Sequence, residues 1–113
     1  MARKPDRRNA ARRRSVAEHG VVSVRVRPAI DARLVDLSPG GARIDTAHRL
    51  VPGRYVHVQM VFPSGTTTVR GRVLRSEVTR LAADGVGYRC AVGFDRPVRW
   101  AVQENGVRYV VVE

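Results

Sequence analysis

The sequence predicts an all-β protein: a small antiparallel barrel of about six strands, preceded by a basic, flexible N-terminal arm and followed by a C-terminal hairpin. Three observations carry that expectation. Apolar residues make up 43% of the 113-residue chain and are dominated by valine, whose branched side chain suits a pleated strand better than a helix. Several short stretches alternate apolar and polar residues at the two-residue period of a strand. Turn residues interrupt them at close spacing, with no convincing helix between. Closing such a sheet on itself leaves no long strand edge exposed. The length allows one domain with one modest core. We divide it into an arm over 1–20, a barrel over 21–96 and an extension over 97–113.

The arm carries most of the charge asymmetry. Of 21 basic residues, seven (Arg3, Lys4, Arg7, Arg8, Arg12, Arg13 and Arg14) lie in the first fourteen positions, opposed there only by Asp6. More than half of the formal net charge of +11 therefore sits in this segment. A helix over Arg7–Glu18 capped by Asp6 lacks an apolar stripe to bury, so its stability is marginal. A mobile polycation of this kind attracts nucleic acid, acidic lipid or a phosphorylated ligand.

After Gly20 the pattern turns to strands. Val22, Val24 and Val26 alternate with Ser23 and Arg25, and Pro28 closes the run. A second strand over about Ala32–Asp36 leads into the turn Asp36-Leu37-Ser38-Pro39-Gly40-Gly41, and a third covers about Ala42–Asp45. His48–Gly53 reads as a loop. Val56, Val58, Met60 and Phe62 then share one face of a fourth strand, which Pro63-Ser64-Gly65 turns back. A fifth runs over Thr67–Arg75, with an extension toward Arg80. Leu81–Gly87 reads as a loop, and Tyr88, Cys90, Val92 and Phe94 alternate in a sixth strand. Finally, Val98–Val102 and Val107–Val112 flank Glu104-Asn105-Gly106, and Asn-Gly is the strongest two-residue hairpin signal.

The same residues exclude several functions. No apolar run approaches the roughly 20 residues of a membrane span, and the N-terminus lacks the apolar core of a signal peptide. The single cysteine, Cys90, cannot form an internal disulfide, which makes the cytoplasm the expected location. His19, His48 and His57 are scattered, with no cysteine or carboxylate at metal spacing. Ser38 has no histidine placed to activate it, and no Gly-x-Ser-x-Gly elbow occurs. Trp100 reads as a packing anchor and Cys90 as a buried strand residue. No catalytic constellation, metal or cofactor is expected, and the chain reads as a non-enzyme.

Two elements remain that carry chemistry. One is Arg8-x-x-x-Arg12, preceded by Arg7; Arg3-x-x-x-Arg7 fits the same spacing. The other is Asp36-x-Ser38-x-x-Gly41 at the end of a strand. Each has a plain reading. Arginine-rich arms contain the first spacing by chance, and Pro39-Gly40 suits the centre of a type II turn.

In this order, before and on a small β-barrel, the two motifs resemble the PilZ family, whose signature is R-x-x-x-R followed by [D/N]-x-S-x-x-G. The stretch Gly85–Asp95, GVGYRCAVGFD, is similar to a late barrel strand of that family, so the resemblance covers roughly residues 7–96. It implies a receptor for cyclic di-GMP (c-di-GMP), with Arg7, Arg8, Arg12, Asp36, Ser38 and Gly41 as ligand-binding residues. It further implies an unidentified downstream protein that responds to the ligand. The chemistry fits residue by residue. Arginine offers a planar fork of donors to guanine O6 and N7 or to phosphate, and it stacks on purine faces. The Asp36 carboxylate can accept from the guanine N1–H and N2–H₂ edge. Ser38 can donate to a phosphate or ribose oxygen, and Gly41 permits a turn or a close approach that a side chain would block. The family often ends in a helix packed near the barrel, whereas this chain ends in a hairpin.

The competing readings are a small basic nucleic-acid-binding barrel and a ligand-free PilZ-like adaptor. The first explains the charge but not the intact turn motif. It also calls for aromatic stacking positions, and aromatics are only 5% of this chain.

Overall fold

The computed structural model describes residues 21, 23–27, 30–104, 106 and 108–113. The arm residues Arg7, Arg8 and Arg12, and Val22 and Asn105, lie outside these. Among the described residues eight strands follow one another: β1 (Ser23–Arg27), β2 (Ile30–Ser38), β3 (Gly41–Thr46), β4 (Tyr55–Phe62), β5 (Gly65–Ala82), β6 (Gly85–Phe94), β7 (Val98–Val102) and β8 (Arg108–Val112). No helix occurs among the described residues, and none there is long and apolar enough to cross a membrane.

The first six strands form a closed antiparallel barrel in the order β1-β2-β3-β6-β5-β4, with β4 paired back onto β1. Strict alternation explains its inside. Val24 and Val26, Val56 to Phe62 at every second position, and Cys90 and Val92 point inward and are buried. Each of the valine, methionine and phenylalanine side chains contributes about 1.5–3 kcal/mol when fully buried. Cys90 lies among them, held between Thr46 and Ser76.

Alternation fails at three β-bulges, and each has a consequence. In β2 the register shifts between Leu34 and Asp36. Leu34 and Leu37 both face the core although they are three positions apart, and Asp36 turns to the outer face opposite Arg43. In β5 the register shifts between Val73 and Arg75 and again between Val78 and Arg80. A bulge adds an unpaired residue that bends the strand and inverts its facing. Spacing alone cannot register it.

Strand β5 is the largest departure from the expected elements. Its first part pairs with β4 as far as Arg72, and its second part pairs with β6 as far as Ala82. The loop expected over Leu81–Gly87 is instead a tight turn at Ala83-Asp84, with Gly85 at φ +144°. A glycine reaches that conformation without the steric cost of a side chain, so both strands run almost to the tip. The bulge beside Thr79 and the small residues Ala82, Ala83, Gly85 and Gly87 disguise the strand periodicity there.

The C-terminal hairpin is present as expected, β7 pairing with β8 and Gly106 turning at φ +86°. It caps the barrel. Val98 and Val110 are buried in the core, Trp100 packs against it, and the Thr67 hydroxyl donates to the Val110 carbonyl at 2.6 Å.

On the outer face, Asp45 of β3 ties three strands together. It accepts from Arg89 of β6 at 2.8 and 3.1 Å, and from Arg33 of β2 at 3.3 Å. The bond from Arg89 is the main cause that holds the Asp45 carboxyl below its ordinary value, against partial burial, and Arg33 adds to it. A carboxyl with a depressed folded value stabilises above its unfolded value, about 3.9, and loses that contribution as pH falls through the folded one. Asp45→Asn is therefore expected to melt lower than wild type at neutral pH, with the two converging at strongly acidic pH. Thermal unfolding of both proteins across the acid range tests this, and a gap that persists at the lowest pH rules it out.

Candidate ligand-binding site

The turn between β2 and β3 borders a surface cavity of about 310 Å³. Gly41, Ala91 and Gly93 form its floor, Asp36 and Arg43 one wall, and Leu74 and Arg75 the other. Strand pairing assembles these residues from distant parts of the chain. Gly41 lies opposite Gly93, Arg43 opposite Ala91, and Ala91 opposite Arg75 on its other side. A run of small residues on an outward face leaves this part of the sheet uncovered by side chains.

The bulge in β2 creates the polar wall. Asp36 is only 9% exposed even though it faces outward. Arg43 Nε donates to its Oδ2 at 2.8 Å, and Arg43 Nη2 donates to the same oxygen. This bond is the largest cause that raises the Arg43 guanidinium above its ordinary value, against partial burial. Arg43 thus stays a fixed cation and orients the carboxylate. The bulge in β5 supplies the other wall. Leu74 is displaced outward and lies over Gly93, where an added Cβ would meet Leu74 Cδ1 at 3.3 Å.

The turn is held by three further bonds. The Ser38 hydroxyl donates to the Gly41 carbonyl at 3.1 Å. The Phe94 amide donates to Gly40 O at 2.8 Å and the Val98 amide to Pro39 O at 2.9 Å. One sequence expectation needs correction here. Gly40 does not have positive φ, so the turn is not type II. Gly41 does not have positive φ either. Its requirement is proximity, since a Cβ at this position would sit 2.4 Å from the Val92 carbonyl oxygen.

Asp36, Ser38 and Gly41 are thus brought together at one cavity, while Arg7, Arg8 and Arg12 lie outside the described residues. Arg43, Leu74, Arg75, Ala91 and Gly93 were not singled out from the sequence. The small residues at 91 and 93 were a usable signal, because they hold the parity opposite to buried Cys90 and Val92. A second cavity, about 250 Å³, lies between Val26, Leu50, Val56 and Val73, with Arg27, Arg49 and Arg54 among its lining. It has no carboxylate in its lining, and so no carboxylate acceptor for a guanine edge. No cluster of metal-ligating side chains occurs among the described residues.

The family model of the PilZ domain matches residues 6–108. The chain belongs to the PilZ domain family. The match takes in the arm's arginine motif, the whole barrel and strand β7, and so reaches beyond the segment that the sequence motifs cover. PilZ domains are binding and adaptor domains rather than enzymes, and the family is one of cyclic di-GMP receptors. No curated protein and no solved structure matches the chain.

Proposed function

We propose that this PilZ domain is a cyclic di-GMP receptor whose N-terminal arm closes a guanine-reading site on the outside of the barrel. One observation carries the reading. A largely buried carboxylate, Asp36, is paired with Arg43 on one wall of the cavity and faces Arg75 on the other, over a floor of glycine and alanine. A surface that only attracted phosphate would gain nothing from a carboxylate there, since it repels the ligand. A guanine-reading site gains from it, because the carboxylate accepts from N1–H and N2–H₂.

In this reading a guanine lies on the floor of Gly41, Ala91 and Gly93 with its Watson–Crick edge toward Asp36, which Arg43 holds in place. Arg8 and Arg12 supply forked donors to O6, N7 or the phosphodiesters, and Arg7 is a third contact. The Ser38 hydroxyl either keeps its bond to the Gly41 carbonyl and accepts from a ribose hydroxyl, or releases that carbonyl and turns its one proton to a phosphate oxygen. Ordering of the arm on the ligand would present a new surface to a downstream protein. The reading includes a cytoplasmic location.

The test is titration calorimetry of wild type and Asp36→Ala with cyclic di-GMP and with cyclic di-AMP at physiological salt. Adenine lacks both donors, and each buried polar group left unpaired costs about 1–3 kcal/mol. Wild type should therefore prefer the guanine ligand by about tenfold or more. Asp36→Ala should erode that preference more than it erodes attraction to phosphate. Equal binding of the two dinucleotides, or tighter binding of single-stranded DNA that collapses with added salt, would establish the basic nucleic-acid-binding barrel instead.

A further inference from the structure

The part of β5 and β6 beyond the barrel is a two-stranded ribbon, and its two faces differ. The bulge at Thr79 lets Val78 and Leu81 share a face, because Val78 lies opposite Tyr88 and Leu81 opposite Val86. Tyr88 packs against the core, so this face continues the inner face of the barrel past its end. It is uncovered among the described residues, with Val78 54% and Leu81 79% exposed. The opposite face carries Glu77 and Arg80, which lie opposite Arg89 and Gly87. The outer edge of β5 has no strand partner over residues 75–82 among the described residues, since its pairing with β4 ends at Arg72.

An isolated two-stranded ribbon is marginal in water, and an exposed apolar face beside an unpaired strand edge invites a further strand. Charge indicates what that strand is. The chain carries +11, yet residues 75–91 hold three bases, Arg75, Arg80 and Arg89, against two acids, Glu77 and Asp84, and Arg89 is already paired with Asp45. The ribbon is thus a nearly neutral site on a strongly basic protein, where a second copy meets little repulsion. It is also self-complementary. About a two-fold axis between Val78 and Thr79, antiparallel pairing sets Glu77 against Arg80 of the other copy, and Arg80 against its Glu77. In a regular strand such a register would join opposite faces. The bulge puts Glu77 and Arg80 on one face and Ser76 and Leu81 on the other. Neither charge is strongly engaged: Glu77 makes no ion pair among the described residues, and Arg80 approaches Asp84 only at 3.9 Å on an exposed surface.

We infer that two copies of this chain associate through the outer edges of β5, antiparallel about Val78 and Thr79, with Glu77–Arg80 pairs on one face and an apolar cluster of Val78 and Leu81 on the other. The contact is confined to one strand edge and two apolar side chains per copy, as in small, transient interfaces, so the association is weak and depends on concentration. It does not require ligand.

Sedimentation equilibrium of the full chain from about 1 µM to 1 mM, without ligand and in salt that screens the arms, is expected to show reversible monomer and dimer. Glu77→Arg and Arg80→Glu should each weaken dimerisation by about tenfold or more by placing like charges opposite, and the two combined should restore it. Leu81→Ser should weaken it equally with an unchanged melting curve, because that side chain is mostly in water. A monomer throughout would overturn the inference. So would a dimer indifferent to Leu81→Ser and to both charge reversals, or one that the combined reversal fails to restore.

Discussion

Replacing Arg8 and Arg12 together with alanine is expected to weaken cyclic di-GMP binding by at least about a hundredfold, with the melting temperature unchanged. Each arginine supplies a charge-assisted contact of about 1.5–3 kcal/mol, so the pair accounts for two or more decades in affinity. The barrel should not register the loss, because the buried apolar side chains among the described residues run from Val21 onward. Arg3→Ala serves as the control for the alternative register of the motif, and it should leave affinity nearly unaltered. Calorimetry and thermal melts on the same samples decide the matter. A matched fall in melting temperature would assign the arginines to structure, and undiminished affinity would remove the arm from the site.

The second large effect belongs to Gly41. Valine there places a Cβ 2.4 Å from the Val92 carbonyl oxygen, a backbone atom that cannot swing aside. The β3–β6 ladder must open at the floor of the cavity. Overpacking of this kind costs about 3 kcal/mol or more, which lowers the melting temperature of a domain of this size by roughly 12–24 °C. Binding should fall with it, because the same movement separates Gly41 from Gly93. The neighbouring glycine makes a sharp comparison. A Cβ on Gly40 meets nothing within 4 Å, and its φ is not positive, so Gly40→Ala should melt like wild type. Similar losses in both variants would show that the turn's conformation, rather than strand proximity, sets the requirement.

That contrast shows what the sequence can and cannot reveal. The barrel was legible because Val24, Val26, Val58, Met60, Cys90 and Val92 obey a period of two, and burial of one face is what that period records. Asp36, Ser38 and Gly41 were legible because they are close in sequence. Arg43, Arg75, Ala91 and Gly93 join them only through strand registers, and two of those, Asp36 with Arg43 and Arg75 with Ala91, depend on the bulges at Val35 and Leu74. A bulge has no composition of its own. Leu34 and Leu37, three apart and both inward, carry the trace of one, but they read equally well as a strand running into a turn. The ribbon was lost for a related reason, since its small residues and its bulge resemble loop chemistry.

The hydrogen bonds from the Phe94 and Val98 amides to the carbonyls of Gly40 and Pro39 also bear on the order in which the protein assembles. The motif turn lies in the first half of the chain, but its floor and its fasteners come from residues 91–98. During synthesis, which proceeds from the N-terminus, the Asp36–Gly41 segment emerges roughly fifty residues before the strand it must rest on. Contacts between such distant positions form slowly, because a long loop must close before they bring any gain. The turn and its carboxylate, Asp36, are therefore made before the cavity they border exists. On the proposed function, competence to bind arrives late, when β6 inserts between β3 and β5 and the segment beyond it latches the turn, so a nascent chain should be insensitive to the ligand until the barrel has closed.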